Sequence, residues 1–300
     1  MNYLYDFVTL LSIYSVLAIG LNLMIGYTGI FSMSHAALLG VGAYTSALLS
    51  MKAGFPFIVS MICAVLVAAL FSAIISVPSL RIAGDYFIVA SMSLQIIIYE
   101  IFVTWIDVTN GPAGLPGIPR PNIFGLEIRT PQAYMWFAIV ILALVVMAVY
   151  CIIHSPFGRV LRAMKEDPIA VQSLGESVVR AKVTIAILSS AIAGLAGSLY
   201  AHKMMFINPA TFDIHESITI ASMVILAGAG RVWGPIIGVF VIQAFPELLR
   251  FLEISGSHIG SIQKALYGLI LILLMMFRPQ GIFGKFKDTT LGVNKHVAKN

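Results

Sequence analysis

The sequence has few charged residues and almost no cysteine. Only 10% of its 300 residues are Asp, Glu, Lys or Arg, and 59% are hydrophobic, whereas a typical soluble domain carries about 25% charged residues. Cys63 and Cys151 lie in or beside apolar runs without metal-ligand spacing, and the six histidines are scattered, so no zinc site is predicted. The composition predicts a membrane protein.

Motifs for nucleotide chemistry are also missing. The only Gly-Lys pair, Gly284-Lys285, is followed by Phe286 and does not complete the phosphate loop G-x-x-x-x-G-K-[ST]. No catalytic constellation is visible, so we predict that the chain is not an enzyme and holds no cofactor of its own. Active transport would then need an ion gradient or another subunit. The net charge of +5 fits Lys and Arg retained on the cytoplasmic side better than binding to nucleic acid.

Long apolar runs take up most of the chain. A helix needs about 20 apolar residues to cross the hydrocarbon core of a bilayer. The runs that meet this requirement are Phe7–Ile25, Phe31–Met51, Phe57–Val77, Tyr86–Ile106, Ala133–Ile153, Val183–Ala201, Trp233–Phe251 and Ile259–Phe277. A shorter run, Ser217–Gly230, could be a span or a re-entrant segment. We predict an all-α integral membrane protein with about eight to nine transmembrane helices in one domain, residues 1–300.

The distribution of basic residues predicts the orientation. Lys and Arg concentrate in the connection 154–182 and in the tail 278–300, so both are placed in the cytoplasm. An even number of crossings must separate them, and Ser217–Gly230 is expected to supply the fourth. Counting back through five runs places the N-terminus outside. The Gly- and Pro-rich loop 107–132 is then also outside, either as a plain connector or as a docking surface.

The connection 154–182 contains a short predicted helix. Asp167 followed by Pro168 is typical of a helix start, and Gly175 suits the left-handed residue that ends a helix. The helix Pro168–Leu174 has about two turns and is only marginally stable in isolation. It therefore packs on the protein's own spans or docks into a cytoplasmic partner. Its small apolar contacts are Ile169, Ala170 and Leu174.

The segment 20–44 combines glycines with polar side chains. Gly26 and Gly29 can break a helix near a membrane boundary, and irregular backbone at membrane depth is tolerated only where it is buried in protein or lines a cavity. The polar side chains expected to face inward are Asn22, Ser32, Ser34 and His35. Each makes either an interhelical hydrogen bond, which we favour, or a direct contact with solute. Glu100, inside a predicted span, is a further candidate for the translocation path, because an ion-coupled carrier would need such a group.

Small residues recur at spacings that let helices approach closely. Gly234 and Gly238 form a GxxxG pair, and Gly194, with Gly197 beside it, lies in a series of small residues spaced by four. We predict that these glycines pack helices together, because lipid offers no hydrophobic drive for association. No convincing internal repeat is visible in the sequence, which weakens the hypothesis of a repeat-built secondary transporter.

Several stretches resemble the permeases of branched-chain amino-acid ABC importers, specifically the LivM-type subunit. In chain order these stretches are 20–44, 110–121, 156–175, 189–200, 225–238, 267–269 and 278–281. They occur in the family's order and are spread over most of the chain, from residue 20 to residue 281. The usual Glu-Ala-Ala opening of the coupling motif is absent, since Ile169-Ala170-Val171 stands in its place.

The resemblance implies a set of partners. These are a homologous second permease, two cytoplasmic ATP-binding subunits that hold the ATP, and a periplasmic or extracytoplasmic substrate-binding protein, at a bacterial inner membrane. The short helix would be the coupling helix. The residues implied in docking to the ATPase are Gly158, Arg159, Arg162, Glu166, Asp167, Pro168, Ile169, Ala170, Leu174 and Gly175. The implied solutes are leucine, isoleucine and valine, with other amino acids, urea or short amides as alternatives. An ion-coupled carrier and a passive channel are the competing classes.

Overall fold

The computed structural model describes residues 2–79, 84–123 and 126–251. Its α-helices are α1 (Asn2–Thr28), α2 (His35–Lys52), α3 (Phe57–Ser79), α4 (Gly84–Thr104), α5 (Ile106–Thr109), α6 (Pro131–His154), α7 (Pro156–Glu166), α8 (Pro168–Ser173), α9 (Val178–Met204), α10 (Ile214–Ala227) and α11 (Gly234–Phe251). Two 3-10 turns cover Gly111–Ala113 and Pro209–Phe212. The two-residue strands are β1 (Leu115–Pro116), β2 (Asn122–Ile123), β3 (Leu126–Glu127) and β4 (Phe206–Ile207), and β1 pairs antiparallel with β4 as β2 does with β3.

Five of these helices are long and apolar enough to cross a membrane. They are α1, α3, α4, α6 and α9, with mean hydropathies from 1.7 to 2.9 over their best windows. The exposed large side chains of α3 and α6 are apolar along most of their length, as in Leu66, Leu70, Val140 and Leu144. Such faces suit contact with lipid, so the chain is a multi-pass membrane protein. The predicted count of eight to nine spans is not reached within the described residues. The run Ile259–Phe277 and the tail 278–300 lie outside them.

Three predicted runs differ from the helices found. The run Phe31–Met51 becomes a helix only at His35, because residues 29–34 are irregular. Tyr86–Ile106 ends as a helix at Thr104. Ser217–Gly230 is α10, which has 14 residues and is therefore about 21 Å long, short of the roughly 30 Å of the hydrocarbon core. The helix α10 is therefore too short to make the predicted fourth crossing by itself.

Contacts between α1, α2 and α9 show which of these helices are parallel and which are antiparallel. Lys203 near the end of α9 forms an ion pair with Asp6 near the start of α1, while Ser189 bonds to Gly20, so α1 and α9 are antiparallel. His35 contacts Ser189 and the later residues of α2 contact the end of α9, so α2 and α9 are parallel. We call the end of the bundle with α7 and α8 the α7–α8 end. The opposite end, with residues 106–130 and β4, is the loop end.

Glycines allow the central helix α9 to pack tightly. A Cβ at Gly194 would lie 2.6 Å from Ala68 Cβ and 2.7 Å from Ala64 O of α3, and Gly42 of α2 abuts the same glycine from another side. Gly197 lies against the backbone of α2 at Leu39. At the other glycine pair, Gly238 of α11 abuts the Met223 carbonyl of α10, and Gly234 lies beside Gly228. The small residues therefore sit where backbones meet.

Candidate functional site

The connection between α6 and α9 forms two short helices joined at a capped turn. Ser155 caps α7 by accepting a hydrogen bond from Gly158 N at 3.3 Å. Asp167 then caps α8, since its Oδ1 accepts from the backbone N–H groups of Ile169 at 2.9 Å and Ala170 at 3.0 Å. The helix α8 ends at Ser173, one residue earlier than predicted, because Leu174 leaves the helical conformation and Gly175 has a φ of +88°. Asp167 and Pro168 thus begin the helix, and Gly175 follows its end, as the sequence predicted.

One side of α8 is anchored and the other is open. Val171 is 5% exposed, whereas Ile169 is 75% and Leu174 83% exposed. Ala170 is exposed as well. Two large apolar side chains therefore face outward from a helix that lies beyond the long apolar helices. Large apolar groups exposed on a short surface helix are suited to contact with another protein.

Other residues predicted to dock have local roles in the connection. Gly158 sits so close to the Ile153 carbonyl that any Cβ would overlap it. Arg162 donates from Nη2 to Ile153 O and from Nε to Gly158 O, both at 3.3 Å. These contacts shape the junction between α6 and α7. Arg159 and Glu166 are exposed on α7.

A lysine ties α7 to the bundle. Lys165 Nζ donates to the carbonyl of Gly26 near the end of α1 at 2.8 Å, and burial lowers the pKa of Lys165 below its ordinary value. Asn22, one turn earlier in α1, accepts from Gly230 N and donates to Arg231 O, both at 2.9 Å. Because Gly26 also lies against the backbone of Gly230, α7, α1 and residues 228–233 form one connected group.

The polar side chains of segment 20–44 lie inside the protein. Asn22, Ser32, Ser34 and His35 are at most 3% exposed. Ser32 and Ser34 share a hydrogen bond at 3.1 Å. His35 Nε2 lies 2.9 Å from Ser189 Oγ. Because Ser189 Oγ donates to Gly20 O at 2.5 Å, we assign the proton to His35 Nε2. Gly29, with a φ of +71°, carries the chain out of α1 into this irregular stretch.

Sequence reasoning missed the residue at the centre of the bundle, Gln95 of α4. Its Oε1 accepts from Ala37 N at 2.8 Å and from Ser217 Oγ at 3.0 Å, and its Nε2 donates to Phe212 O at 2.7 Å. Ser217 Oγ accepts in turn from Ala36 N at 3.0 Å. A signal was available, since Gln95 is an amide within the apolar run 86–106. We call the group formed by Gln95, Ser217, Ala36, Ala37 and the carbonyl of Phe212 the Gln95 junction.

Aromatic rings pack beside the junction, on the side of the loop end. Phe212 lies 5.9 Å from Tyr44, 6.2 Å from Phe102 and 6.2 Å from Tyr200, measured between ring centroids. Gly40 of α2 leaves room for them, because a Cβ there would lie 2.6 Å from Phe102 and 2.9 Å from Phe212. Apolar rings thus border the polar centre of the bundle.

Glu100 is not brought into this arrangement. It is exposed on α4, on the outer face, while Gln95 and Phe102 of the same helix are buried. The described residues provide no hydrogen-bond partner for its carboxylate. The structure therefore gathers Asn22, the serines and His35 inside the bundle and leaves Glu100 on its surface.

Comparison with known proteins gives the family. A family model for the permease component of branched-chain amino acid transport systems matches residues 3–277. The chain belongs to this permease family. The permease is 32% identical over 301 residues to the high-affinity branched-chain amino acid transport system permease protein LivM of Escherichia coli K12, covering 92% of this chain and 69% of the relative. The family consists of transport permeases and is not an enzyme family.

Two further relatives match nearly end to end. The permease is 23% identical to the probable branched-chain amino acid transport permease protein LivM of Methanocaldococcus jannaschii, covering 95% of this chain and 94% of the relative. It is 25% identical to the permease protein LivH of Escherichia coli K12, with 94% of each chain covered. No solved structure matches. The permease is thus similar to relatives with two different names, LivM and LivH.

Proposed function

We propose that this permease is a membrane subunit of an ATP-driven importer that carries branched-chain amino acids into the cell. Its partners are a homologous second permease, two cytoplasmic ATP-binding subunits and an extracytoplasmic substrate-binding protein, at the bacterial inner membrane. The observation that supports this best is α8, which presents Ile169 and Leu174 outward while Val171 anchors it. The chain has no phosphate loop of its own, so the ATP must be bound by partners.

The α7–α8 end is the cytoplasmic side in this proposal. The connection that contains α7 and α8 carries the basic residues Arg159, Arg162, Lys165, Arg180 and Lys182, and the cytoplasmic side retains Lys and Arg. Since α1 runs toward this end, the N-terminus lies outside. A docked ATP-binding subunit would then reach α8 from the cytoplasm.

Movement of the docking region can reach the bundle through direct contacts. Lys165 holds Gly26 of α1, and Asn22 of α1 holds the backbone of residues 228–233, which follow α10. A push on α8 therefore acts on α1 and α10 together. That coupling is what alternating access driven by partner ATPases requires.

An ion-coupled carrier is less well supported. Its coupling carboxylate has to exchange between the two sides through the interior, but Glu100 lies exposed on the outer face of α4. The choice of solute rests on the resemblance and on the names of the relatives. Other amino acids, urea and short amides remain the alternatives.

The experiment is purification of the tagged chain from its native membrane in a gentle detergent, followed by reconstitution into proteoliposomes. We expect two ATP-binding proteins and a second permease to copurify, and leucine uptake to require ATP and the substrate-binding protein. Unlabelled isoleucine should compete with leucine, and urea should not. A chain that purifies alone and takes up leucine under a proton or sodium gradient would contradict the proposal.

A matched pair of variants tests the docking role of α8. Ile169→Asp places a charge on the exposed apolar face and should abolish both copurification of the ATP-binding proteins and uptake. Ser173→Asp places the same charge on an exposed polar position of the same helix and should leave both largely intact. Equal effects of the two variants would count against a specific contact at Ile169.

A further inference from the structure

The helix α10 begins halfway through the bundle. In its first turn, Glu216 accepts a hydrogen bond at 2.7 Å from Tyr14, which is close to the midpoint of the apolar helix α1. The next residue, Ser217, bonds at 3.0 Å to Gln95, which is close to the midpoint of α4. Contacts with two different helices thus place the start of α10 near the middle of the hydrocarbon core.

The chain reaches this depth from the loop end without forming an α-helix. After α9, strand β4 pairs with β1, and a 3-10 turn then leads to Asp213, which caps α10. The stretch 208–213 lies along the surface of the bundle, since Pro209 and Phe212 are buried while Ala210 is exposed. Irregular backbone at membrane depth is tolerated only where it is buried in protein or lines a water-filled cavity. This stretch is therefore unsuited to contact with lipid.

Two ionisable side chains reach the same surface at mid-depth. The side chain of Asp213 is 36% exposed and that of His215 is 64% exposed, and His215 Nε2 lies 3.9 Å from Asp213 Oδ2. Ionisable groups near the bilayer centre are costly in lipid, and in membrane proteins they almost always face a bundle interior or a water-filled cavity. Because these two lie on a surface that the described residues leave open, that surface must meet water or another protein.

Exposed positions elsewhere on the bundle differ from this one. The helices α3 and α6 expose apolar side chains that suit lipid. Glu100 is exposed as well, but it lies four residues before the end of α4, about 6 Å from that end at 1.5 Å per residue. Its carboxylate is therefore close to the membrane surface at the loop end, whereas Asp213 and His215 lie near the centre.

We propose that the surface formed by residues 208–219 is one wall of an aqueous solute path between this permease and the second permease, with Asp213 and His215 in contact with the solute. This inference rests on the proposed function, which supplies the second permease as the partner that shields the wall from lipid. An acidic and a basic group side by side suit a solute that carries an ammonium and a carboxylate, as a branched-chain amino acid does. Ile218, which is 41% exposed one turn further along α10, adds an apolar contact.

The reactivity of introduced cysteines tests whether water reaches this wall. The complete transporter is placed in lipid nanodiscs, with Cys63→Ser and Cys151→Ser in the permease, and a positively charged, water-soluble methanethiosulfonate reagent is added. Labelling of the permease is followed by mass spectrometry. Because the thiolate is the reactive form and is disfavoured in lipid, Ala210→Cys and His215→Cys should react at least about tenfold faster than the control Leu144→Cys. Leu144 is 51% exposed near the midpoint of α6, so the control matches the wall in depth.

Rates equal to that of Leu144→Cys would overturn the proposal, since lipid or closely packed protein would then cover the surface. Uptake gives a second readout. Labelled Ala210→Cys should lose leucine uptake, because the reagent leaves a bulky cation in the path, whereas treated Leu144→Cys should keep it. Uptake that survives complete labelling of Ala210→Cys would also contradict the wall. The unmodified permease must meanwhile copurify with ATP-binding proteins and take up leucine, since loss of these two results would refute the proposed function instead.

The contact between Asp213 and the solute is tested by a variant that keeps the helix cap. Asp213 Oδ1 accepts from Ile214 N at 2.6 Å, and Asn caps a helix about as well as Asp, so Asp213→Asn removes the charge and retains the start of α10. We expect leucine uptake to fall about tenfold or more, while the amount of folded permease, copurification and ATP hydrolysis stay unchanged. A purely structural role predicts normal uptake, because the cap is kept, and that result would overturn the assigned contact.

Discussion

Val171 lies within α8 and is buried, whereas Leu174, three residues later at the end of the helix, is exposed. Leu174 is 83% exposed and Val171 is 5% exposed. Truncation of each to alanine should therefore separate docking from folding. Leu174→Ala removes three carbons that contact almost nothing in the isolated permease, so the free energy of unfolding should change by less than about 0.5 kcal/mol.

The magnitude expected on docking follows from the same exposure. If the ATP-binding subunit covers Leu174 completely, three carbons at about 0.8 kcal/mol each contribute about 2.4 kcal/mol. Since 83% of the residue is exposed beforehand, about 2 kcal/mol of this arises on docking. The Kd for the ATP-binding subunit should rise about 30-fold in Leu174→Ala.

The measurement is a titration of the permease in lipid nanodiscs with the purified ATP-binding subunit, together with a thermal unfolding midpoint. Ser173→Ala, an exposed polar position on the same helix, is the control and should change neither value. Val171→Ala should instead lower the stability of α8, by about 1 kcal/mol or more because it deletes buried carbons, and expose the connection to protease. A Kd that changes less than twofold in Leu174→Ala would show that this side chain lies outside the interface.

Three further predictions concern single residues. Gly194→Ala should destabilise the bundle by about 1–3 kcal/mol, because the methyl group meets Ala64 O at 2.7 Å; the check is the midpoint of unfolding in SDS, which the control Ala148→Val, at an exposed position of α6, should leave unchanged. Glu100→Gln should keep ATP-driven uptake within about twofold, as expected of an exposed surface substitution; collapse of uptake would favour the ion-coupled carrier. Burial lowers the pKa of Lys165, so its charged form is disfavoured in the fold. Stability should then rise as the pH climbs from that lowered pKa to about 10.4, and thermal midpoints of Lys165→Met should lack this rise.

Local chemistry made the short helix α8 predictable. The cap Asp167, the Pro at the first helical position and the left-handed Gly175 all act within a few residues of one another. The sequence predicts Pro168–Leu174 and the structure has Pro168–Ser173. Similarly, the apolar runs that became α1, α3, α4, α6 and α9 are recognised by length and hydropathy alone.

The starts of α2 and α10 were not predictable in this way. A hydropathy window records that residues 31–51 are apolar, but not that the helix begins only at His35. The caps that fix this start come from Gln95 and Ser217, which are far away in the sequence. Only the tertiary arrangement shows that these side chains meet the N-terminus of α2. Gln95 stands out in the sequence as an amide within an apolar run, but the sequence does not show that it bonds to Ala37 and Ser217.

The absence of a visible sequence repeat, which weakens the hypothesis of a repeat-built secondary transporter, does not mean that the structure has no repeated arrangement. Twice within the described residues a 27-residue helix, α1 or α9, is followed by a connecting segment without α-helix and then by a helix that starts at the Gln95 junction. The two units run in opposite directions, since α1 and α9 are antiparallel. This arrangement requires a helix that crosses, a connecting stretch that re-enters the bundle and caps for one N-terminus. Many different residues meet these requirements, so the two units need not share a sequence pattern. Broken helices that meet near the midplane occur in many transporters, and here α2 begins beside Ser217 of α10, whose hydroxyl accepts from Ala36 N.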